Sequence, residues 1–502
     1  MASDKPQNAS HGLSPAEEFV VAQATAGKIA DLDGALNADQ TKKFPKENDR
    51  RLSAHFLEDL LTVALPGIKL HRHGVRITGA IIDEPIHLEN EQIPCEVQLD
   101  HCQFNNSVTF AGANFAGGLL FSGSRFKGEA NFNGMKVGGD ASLDRAVFEG
   151  PVYFLAADIA GNLEAQWAKF HNKKNGAHFS GMKVRGDRAF FSGAEFEGPV
   201  GFGGADIANN LVVQSAKFQD NEVGAIFLGV KVRGDAMFDF TEFKGLVDFV
   251  GADIANNFQA GAKFQNKKKW ASFNRMKVGG PAFFNGSFEG PVDLRNAEFG
   301  WLDLSGASWP KGAGQLQMQG MSYKYILAAP KEPKSHEELL KVVSQAAYSG
   351  DVYSKLEAFF LRQGYRGDAD EAFIAGKRRE RDEYLRTGQR FQWLGSWMLD
   401  LLVCYGRRPW QAGIPCAALI ALGCVLFSPK KMEPQKPEDT PRVYNRFWYS
   451  LGLFLPFVDL QADKVWKPKA DQTFLRNYMR VHVLLGWILI PIVLAALTGL
   501  IK

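Results

Sequence analysis

The stretch Phe104-Asn-Asn-Ser-Val-Thr-Phe110-Ala-Gly-Ala-Asn-Phe115-Ala-Gly-Gly-Leu-Leu-Phe121-Ser-Gly-Ser-Arg-Phe126-Lys-Gly-Glu-Ala-Asn-Phe132 spaces its phenylalanines by 6, 5, 6, 5 and 6 residues. The same ladder of apolar anchors runs back through Leu99, Ile93, Leu88 and Ile82 to Ile77, and forward through Val137, Leu143, Phe148, Phe154, Ile159 and Ala165 to Phe170. An 11-residue period is also three turns of α-helix, so a right-handed coiled coil has to be tested. On a helix, positions 0 and 5 lie roughly 140° apart at about 100° per residue, and these phenylalanines build no stripe. Dense Gly and Asn between the anchors argue the same way, since Gly costs a helix interior up to about 1 kcal/mol per residue.

Short strands joined by tight corners remain. The five-step sites read small-x-apolar, as in Ala113-Asn-Phe115, Ala157-Asp-Ile159, Ala168-Lys-Phe170 and Ala205-Asp-Ile207, whereas many six-step sites carry Val or Leu two before the anchor. In extended chain, residues i and i−2 share a face, so both enter one interior. A chain that turns every five or six residues closes a narrow square tube. Of the 39 phenylalanines, 27 lie between Ile77 and Leu304, as an interior filled by one repeated side chain requires. A longer repeat overlies the ladder: Met135-Lys-Val, Met182-Lys-Val, Val230-Lys-Val and Met276-Lys-Val recur at spacings of 47, 48 and 46, and Ala-Asp-Ile-Ala recurs at Ala157, Ala205 and Ala252.

These units resemble the pentapeptide-repeat family, whose Ala-Asp/Asn-Leu/Phe-x-x motifs coil into a right-handed quadrilateral β-helix. Ala157-Asp-Ile-Ala and Ala113-Asn-Phe-Ala are near-consensus, but every second unit carries one extra residue, giving coils of about 22 residues. The resemblance implies a mainly β fold of roughly ten coils and a rod about 50 Å long at about 4.8 Å per stacked strand. Three irregular steps, near 171–178, 219–226 and 265–272, read as loops bulging from one side.

The expected organisation is an N-terminal helical cap over 1–76, the β-helix over 77–309, a linker over 310–334, an αα-hairpin over 335–390 and a membrane region over 391–502. Ser14-Pro-Ala-Glu17 is a capping box that opens a helix to about Asp31, and a second helix follows from Ser53 to Ala64. Trp410–Phe427 and Val481–Ile501 contain no charge, so transmembrane helices are expected at about 410–428 and 481–501. An amphipathic helix is expected at 391–404, and the apolar Phe447–Val458, too short to cross a bilayer, is interfacial or re-entrant. That layout is similar to two-span ion-channel pores in topology alone, since Leu455-Pro-Phe-Val-Asp459 replaces a carbonyl-lined filter. With the rod and the Tyr405-Gly-Arg-Arg-Pro-Trp410 bend it resembles a group of bacterial pentapeptide-repeat membrane proteins. Some of those carry an oxidoreductase label, but no G-x-G-x-x-G follows a strand here.

Composition sets the function classes. The formal charge of +3 over 502 residues is small, and between Ile77 and Leu304 there are 21 basic against 27 acidic residues, so no specific nucleic-acid partner is expected. Five Cys without C-x-x-C point to a reducing compartment and to neither a zinc site nor a disulfide framework. The pair Cys95 and Cys102 and the pair His71 and His73 read as structural. No catalytic set, cofactor site or metal site is expected, and the chain reads as a non-enzyme. In-register Asp158, Asp206 and Asp253 read as solvated corner residues, and Lys136, Lys183, Lys231 and Lys277 as a basic stripe on solvated surface. Candidate partner or lipid contacts are Lys173, Lys174, Lys267, Lys268 and Lys269 in the bulging loops and Arg378, Arg379 and Arg381 near the membrane. Candidate pore or re-entrant residues are Trp448, Ser450, Pro456 and Asp459. The leading expectation is a membrane-anchored scaffold presenting the rod to a protein partner, and the alternative is an oligomeric two-span pore gated by the rod. Basic residues number eight over 377–408 and ten over 428–480, so charge does not orient the chain. The polar Met1–Ser14 stretch, with no signal-peptide core, puts the rod in the cytosol at a bacterial inner membrane.

Overall fold

The computed structural model describes residues 12–34, 44, 46–312, 314–329, 334–435, 443–455, 457–458 and 462–498. Its first unit, Met1–Val352, is built around a parallel β-solenoid of about eleven coils. Each coil lays one short strand on each of four walls, and every strand pairs in parallel with its equivalent one coil away. The second wall follows the first in the same sheet, as in Asn114–Phe115 then Leu119–Leu120. The third wall, represented by Arg125–Phe126, is a sheet of ten strands, and the fourth, represented by Ala130–Asn131, one of eleven.

Stacking equivalent strands stacks equivalent side chains. On the third wall Phe104, Phe126, Phe148 and Phe170 lie face to face at centroid separations of 4.7, 4.7 and 5.2 Å, and the ladder continues to Phe288, where Trp309 closes it at 5.2 Å and 4°. A second ladder on the fourth wall runs from Phe110 through Phe132 and Phe154 to Phe273. Offset stacking of this kind adds about 0.5–1.5 kcal/mol per pair beyond area burial.

Left-handed residues turn the corner between the second and third walls. Gly123 (φ 69°) and Gly193 (φ 69°) occupy it in two coils, but Trp167 (φ 57°) and Phe240 (φ 60°) occupy it in two others. The opposite αL corner, between fourth and first walls, is occupied mostly by glycine. The three bulging loops all join a third-wall strand to the next fourth-wall strand, between Phe170 and Ala177, Phe218 and Ala225, and Phe264 and Ala271. They lengthen every second coil, which is why the long sequence repeat is two coils and not one.

Both ends are covered, because an open coil exposes unpaired backbone and apolar anchors. Helix α1 (Pro15–Ala26) begins at the Ser14/Glu17 capping box, and α2 (Ala54–Leu61) is capped by Ser53. The Glu17 carboxylate also accepts from the Ser53 backbone N–H and hydroxyl, at 3.0 and 2.8 Å, so one buried side chain ties the two helix starts together. Burial works to raise its pKa, but the hydrogen bonds from Ser14 and Ser53 outweigh it and hold the carboxyl below the ordinary range. The first helix stops short of Asp31, and Ala30–Asp31 instead pairs with Ile77 and Thr78 as an extra strand on the first coil. Cys102 is fully buried, and desolvation pushes its thiol up to about 12, as a structural cysteine requires.

The stretch expected to be a linker continues the solenoid. Leu316–Gln317 pairs with Val292–Asp293, and Ser322–Leu327 pairs with Glu298–Asp303. Gly and Gln between them conceal the alternation that marks the earlier coils. Helix α3 (Lys334–Gln345) follows, and Ala347 just beyond it donates to the Leu316 carbonyl at 2.8 Å, which ties this segment to the end of the rod.

The second unit, Tyr353–Lys502, is helical. Most of α4 (Gly350–Gln363) lies in it, followed by α5 (Arg366–Arg386), α6 (Arg390–Val403), α7 (Gly413–Leu426), α8 (Arg446–Phe454), α9 (Ala462–Val465) and α10 (Thr473–Leu497). Two helical segments, Pro409–Leu426 and Thr473–Ala495, are long and apolar enough to cross a membrane.

The stacked interior makes one mutational contrast decisive. Phe148→Ala removes a fully buried ring between two stacked neighbours and is expected to cost about 3–5 kcal/mol. Phe240→Gly removes an exposed ring from an αL position and is expected to be neutral or stabilising by about 1 kcal/mol. Thermal melting of the β-sheet circular-dichroism signal separates them, and equal losses would refute the stacked-interior account.

Candidate functional site

Outward positions on the first wall form a charged column. Lys136 registers with Asp158, Asp158 with Lys183, and Lys183 with Asp206. Beyond them Lys231 follows Asp206, Asp253 follows Lys231, and Lys277 and Glu298 complete the series. The signs alternate at every coil. Lysines and aspartates that read separately, as a basic stripe and as solvated corners, are one column, because each recurs every second coil and the two series interleave. Asp158 is also held by Arg185 through two hydrogen bonds of 2.7 Å, and Asp206 by Arg233 at 3.2 Å. The hydrogen bonds from Arg185 keep the Asp158 carboxyl below its usual range. Lys277 and Glu298 pair at 3.6 Å, and a groove of about 390 Å³ crosses Asp253, Lys277, Glu298 and Lys324 at this end of the wall.

The third wall carries its own alternation, Lys169, Glu195, Lys217, Glu242 and Lys263, with ion pairs of 2.9 Å from Lys217 to Glu195 and from Lys263 to Glu242. The bulging loops border this wall. Each is built on an Asx turn: Asn172 accepts from the Asn175 N–H at 2.8 Å, Asp220 from Val223 at 2.7 Å, and Asn266 from Lys268 and Lys269 at 2.9 Å. Of the predicted lysines, Lys173 faces Glu197 at 3.5 Å and Lys267 faces Glu289 at 3.9 Å, and Lys269 donates to the Glu222 carbonyl of the neighbouring loop. Lys174 and Lys268 take no ion pair among the described residues and project from the first and third loops.

The opposite border of the third wall holds two residues that sequence reading missed. Trp167 and Phe240 are 57% and 77% exposed in αL corners, three coils apart, with Gly193 and Ser215 between them. A Cβ at Gly193 would lie 2.3 Å from the Trp167 ring, so the indole rests on that glycine. The second wall beside them presents Phe190, over which Arg188 stacks at 5.0 Å, with Val212 and Met237 in the same column. Their signal in the sequence was a large residue at a corner where other coils use Gly, hidden because the anchors drew the pattern.

In the helical unit two arginines of the predicted basic patch are engaged in ion pairs within the unit. Arg378 and Arg381 on α5 both donate to Asp400 on α6, at 3.0 and 2.7 Å, and Arg379 is half-buried on the same helix. Burial works to raise the Asp400 pKa, but these guanidinium hydrogen bonds prevail and depress it. Arg407 donates to Asp370 at 2.8 Å and to Glu357, stacks 4.2 Å over Phe373, and Arg408 pairs with Glu371. With Asp400 facing α5, the other side of α6 leaves Phe391, Leu394, Trp397, Met398 and Leu401 exposed at steps of three, three, one and three residues.

The predicted re-entrant stretch contributes α8, and its candidate residues separate. Trp448 is 54% exposed, whereas Ser450 is buried and contacts both long apolar helices. The Ser450 hydroxyl donates to the Ile420 carbonyl of α7 at 2.9 Å. His482 of α10 lies with Nε2 at 3.1 Å from the Ser450 carbonyl oxygen, which can only accept, so Nε2 carries the proton and Nδ1 accepts from the Tyr478 hydroxyl at 3.3 Å. Gly423 is needed here, since a Cβ would meet Ser450 Oγ at 2.1 Å. Pro456 and Asp459 lie outside the described residues. No group of three His, Cys, Asp or Glu among the described residues could hold a metal ion.

A family model described as pentapeptide repeats (9 copies) matches residues 96–136 of the chain. No curated protein and no solved structure matches it.

The Asp400 cluster gives a pH-dependent expectation. Because the folded carboxyl titrates below its unfolded value, its stabilisation is present above about pH 4 and is lost as pH falls through the folded pKa. Asp400→Asn is therefore expected to lower stability at pH 7 by about 1–3 kcal/mol, with the gap to the native chain narrowing toward about pH 3. Thermal unfolding in detergent across that range checks it, and a constant gap would refute the assignment.

Proposed function

We propose that this chain, whose coils and residues 96–136 are similar to pentapeptide repeats, is a non-enzymatic, membrane-anchored scaffold whose rod docks a protein partner along its third wall. The observation that carries this reading is the pair of exposed aromatics at Trp167 and Phe240. An αL backbone under a bulky residue costs about 1–2 kcal/mol, and neither ring is needed by the packed interior. Strain and exposure together are what a binding anchor displays before its partner arrives.

The charge pattern supports a protein over a polyanion. Alternating Lys169, Glu195, Lys217, Glu242 and Lys263 offer both signs within one wall, and the flanking loops are basic, acidic and basic in turn. A nucleic acid or an anionic lipid surface would favour a single sign.

Membrane attachment is supported by the two apolar helices and by α6, whose exposed apolar side is suited to the interface beside them. We place the anchor in a bacterial inner membrane with the rod in the cytosol. The second reading, a conduit through the helical unit, is favoured by one observation: Ser450 and His482 form a buried polar contact between α8 and a spanning helix, and ionisable groups at such depth often mark transport paths.

Two experiments test these readings. Replacing Trp167 and Phe240 by Ser, or the five loop lysines by Ala, is expected to reduce site-specific cross-linking of a defined partner from the third wall at least tenfold while leaving the β-sheet signal unchanged. Unchanged cross-linking would refute the docking wall. For the conduit, ion flux from liposomes carrying the full chain should change in Ser450→Ala, and silence from correctly inserted protein would remove that reading.

A further inference from the structure

The first wall lies across the tube from the third and is independent of the proposed partner surface. Its outward column has eight consecutive charged positions, Lys136 at one end and Glu298 at the other, with strictly alternating sign. The residues two places after each, where not Arg185 or Arg233, are Gly138, Ala160, Ala208, Ala255, Gly279 and Gly300. Apart from those two arginines, which lie over Asp158 and Asp206, this second column presents only small residues to an approaching surface.

An alternating column of even length has a particular symmetry. Laid antiparallel against a copy of itself about a two-fold axis, position 1 meets position 8, 2 meets 7, 3 meets 6 and 4 meets 5. Every one of those encounters joins opposite signs. A parallel, in-register pair would oppose like charges throughout, and a parallel pair shifted by one coil would not close. The third-wall column, Lys169 to Lys263, has five positions and places lysine against lysine under the same operation.

We propose that the first wall is a homodimer surface, on which two copies of this chain pair antiparallel with the two-fold axis between Asp206 and Lys231. Within one rod, Lys183 and Asp253 take no ion pair among the described residues, although both are exposed. In the dimer each meets the other from the opposite copy. Lys231 likewise meets Asp206, and Lys136 meets Glu298. Each exposed pair contributes only up to about 1 kcal/mol, so the association depends on their number and weakens with salt.

The simpler account of the alternation is that opposite charges one coil apart steady their own column. A charge exchange separates the two. Lys183→Glu alone and Asp253→Lys alone each oppose like charges twice in the dimer, and each is expected to shift dimerisation of the full-length protein in detergent at least tenfold toward higher concentration by analytical ultracentrifugation. The double variant restores opposite charges across the interface while disrupting alternation within the column. Recovery of the dimer in the double variant, and dissociation of the native dimer in roughly 0.5 M salt, are expected. A double variant worse than either single, or a native chain monomeric at low salt, would overturn the proposal. A short cross-linker fixes the direction: Ala208→Cys near the axis should link to its copy, whereas Ala160→Cys should not, because its equivalent lies five coils away, about 24 Å. Equal linking at both sites would also overturn it.

Discussion

Everything in the rod depends on the requirement that equivalent positions of successive coils lie directly over one another. Parallel strands about 4.8 Å apart cannot offset a bulky side chain from its neighbour, so one interior residue type is carried from coil to coil. Phenylalanine meets this condition because its rings stack at nearly the strand spacing, as at 4.7 Å and 11° between Phe104 and Phe126. The ladder continues across the lengthened coils: Phe170 stacks on Phe196 at 4.7 Å although a loop lies between them in sequence. The third-wall interior is thus indifferent to insertions at the next corner, and function can be placed in those loops without disturbing the core.

Interior repetition is also why so much of the fold was legible. Anchors at steps of five and six leave a strong one-dimensional signal, and the capping box at Ser14 and Glu17 carries its own geometry. The solenoid beyond Leu304 was not legible, because Leu316, Met318 and Ile326 replace phenylalanine and glycines intervene. The strand at Ala30–Asp31 was equally hidden: two residues have no periodicity, and only the first coil needs them. In the helical unit, composition located the apolar helices, whereas the fate of Arg378 and Arg381 depended on Asp400, a residue nineteen or more positions away whose facing side no local pattern reveals.

The candidate surfaces show a different limit. Loop lysines were visible as Lys-rich runs, but their neighbours Glu197, Glu222 and Glu289 come from other coils and moderate the charge. Trp167 and Phe240 were overlooked because a search for buried anchors treats an off-register aromatic as noise. In a solenoid that residue is the informative one, since position relative to the corner decides whether a ring fills the core or leaves it.

The long repeat finally connects structure to surface chemistry. Because the sequence unit is two coils, any residue type fixed within it recurs at alternate coils, and two types fixed half a unit apart alternate along one wall. Lys-Val and Asp-Ile are so placed, and their alternation on the first wall follows from the doubling alone. Coil number then becomes a chemical quantity. With eight alternating positions an antiparallel pair opposes unlike charges everywhere, while with seven or nine it would oppose like charges everywhere. Loss or gain of one alternating coil at an end of the series would leave the stacked core intact and reverse the sign of every contact across that wall.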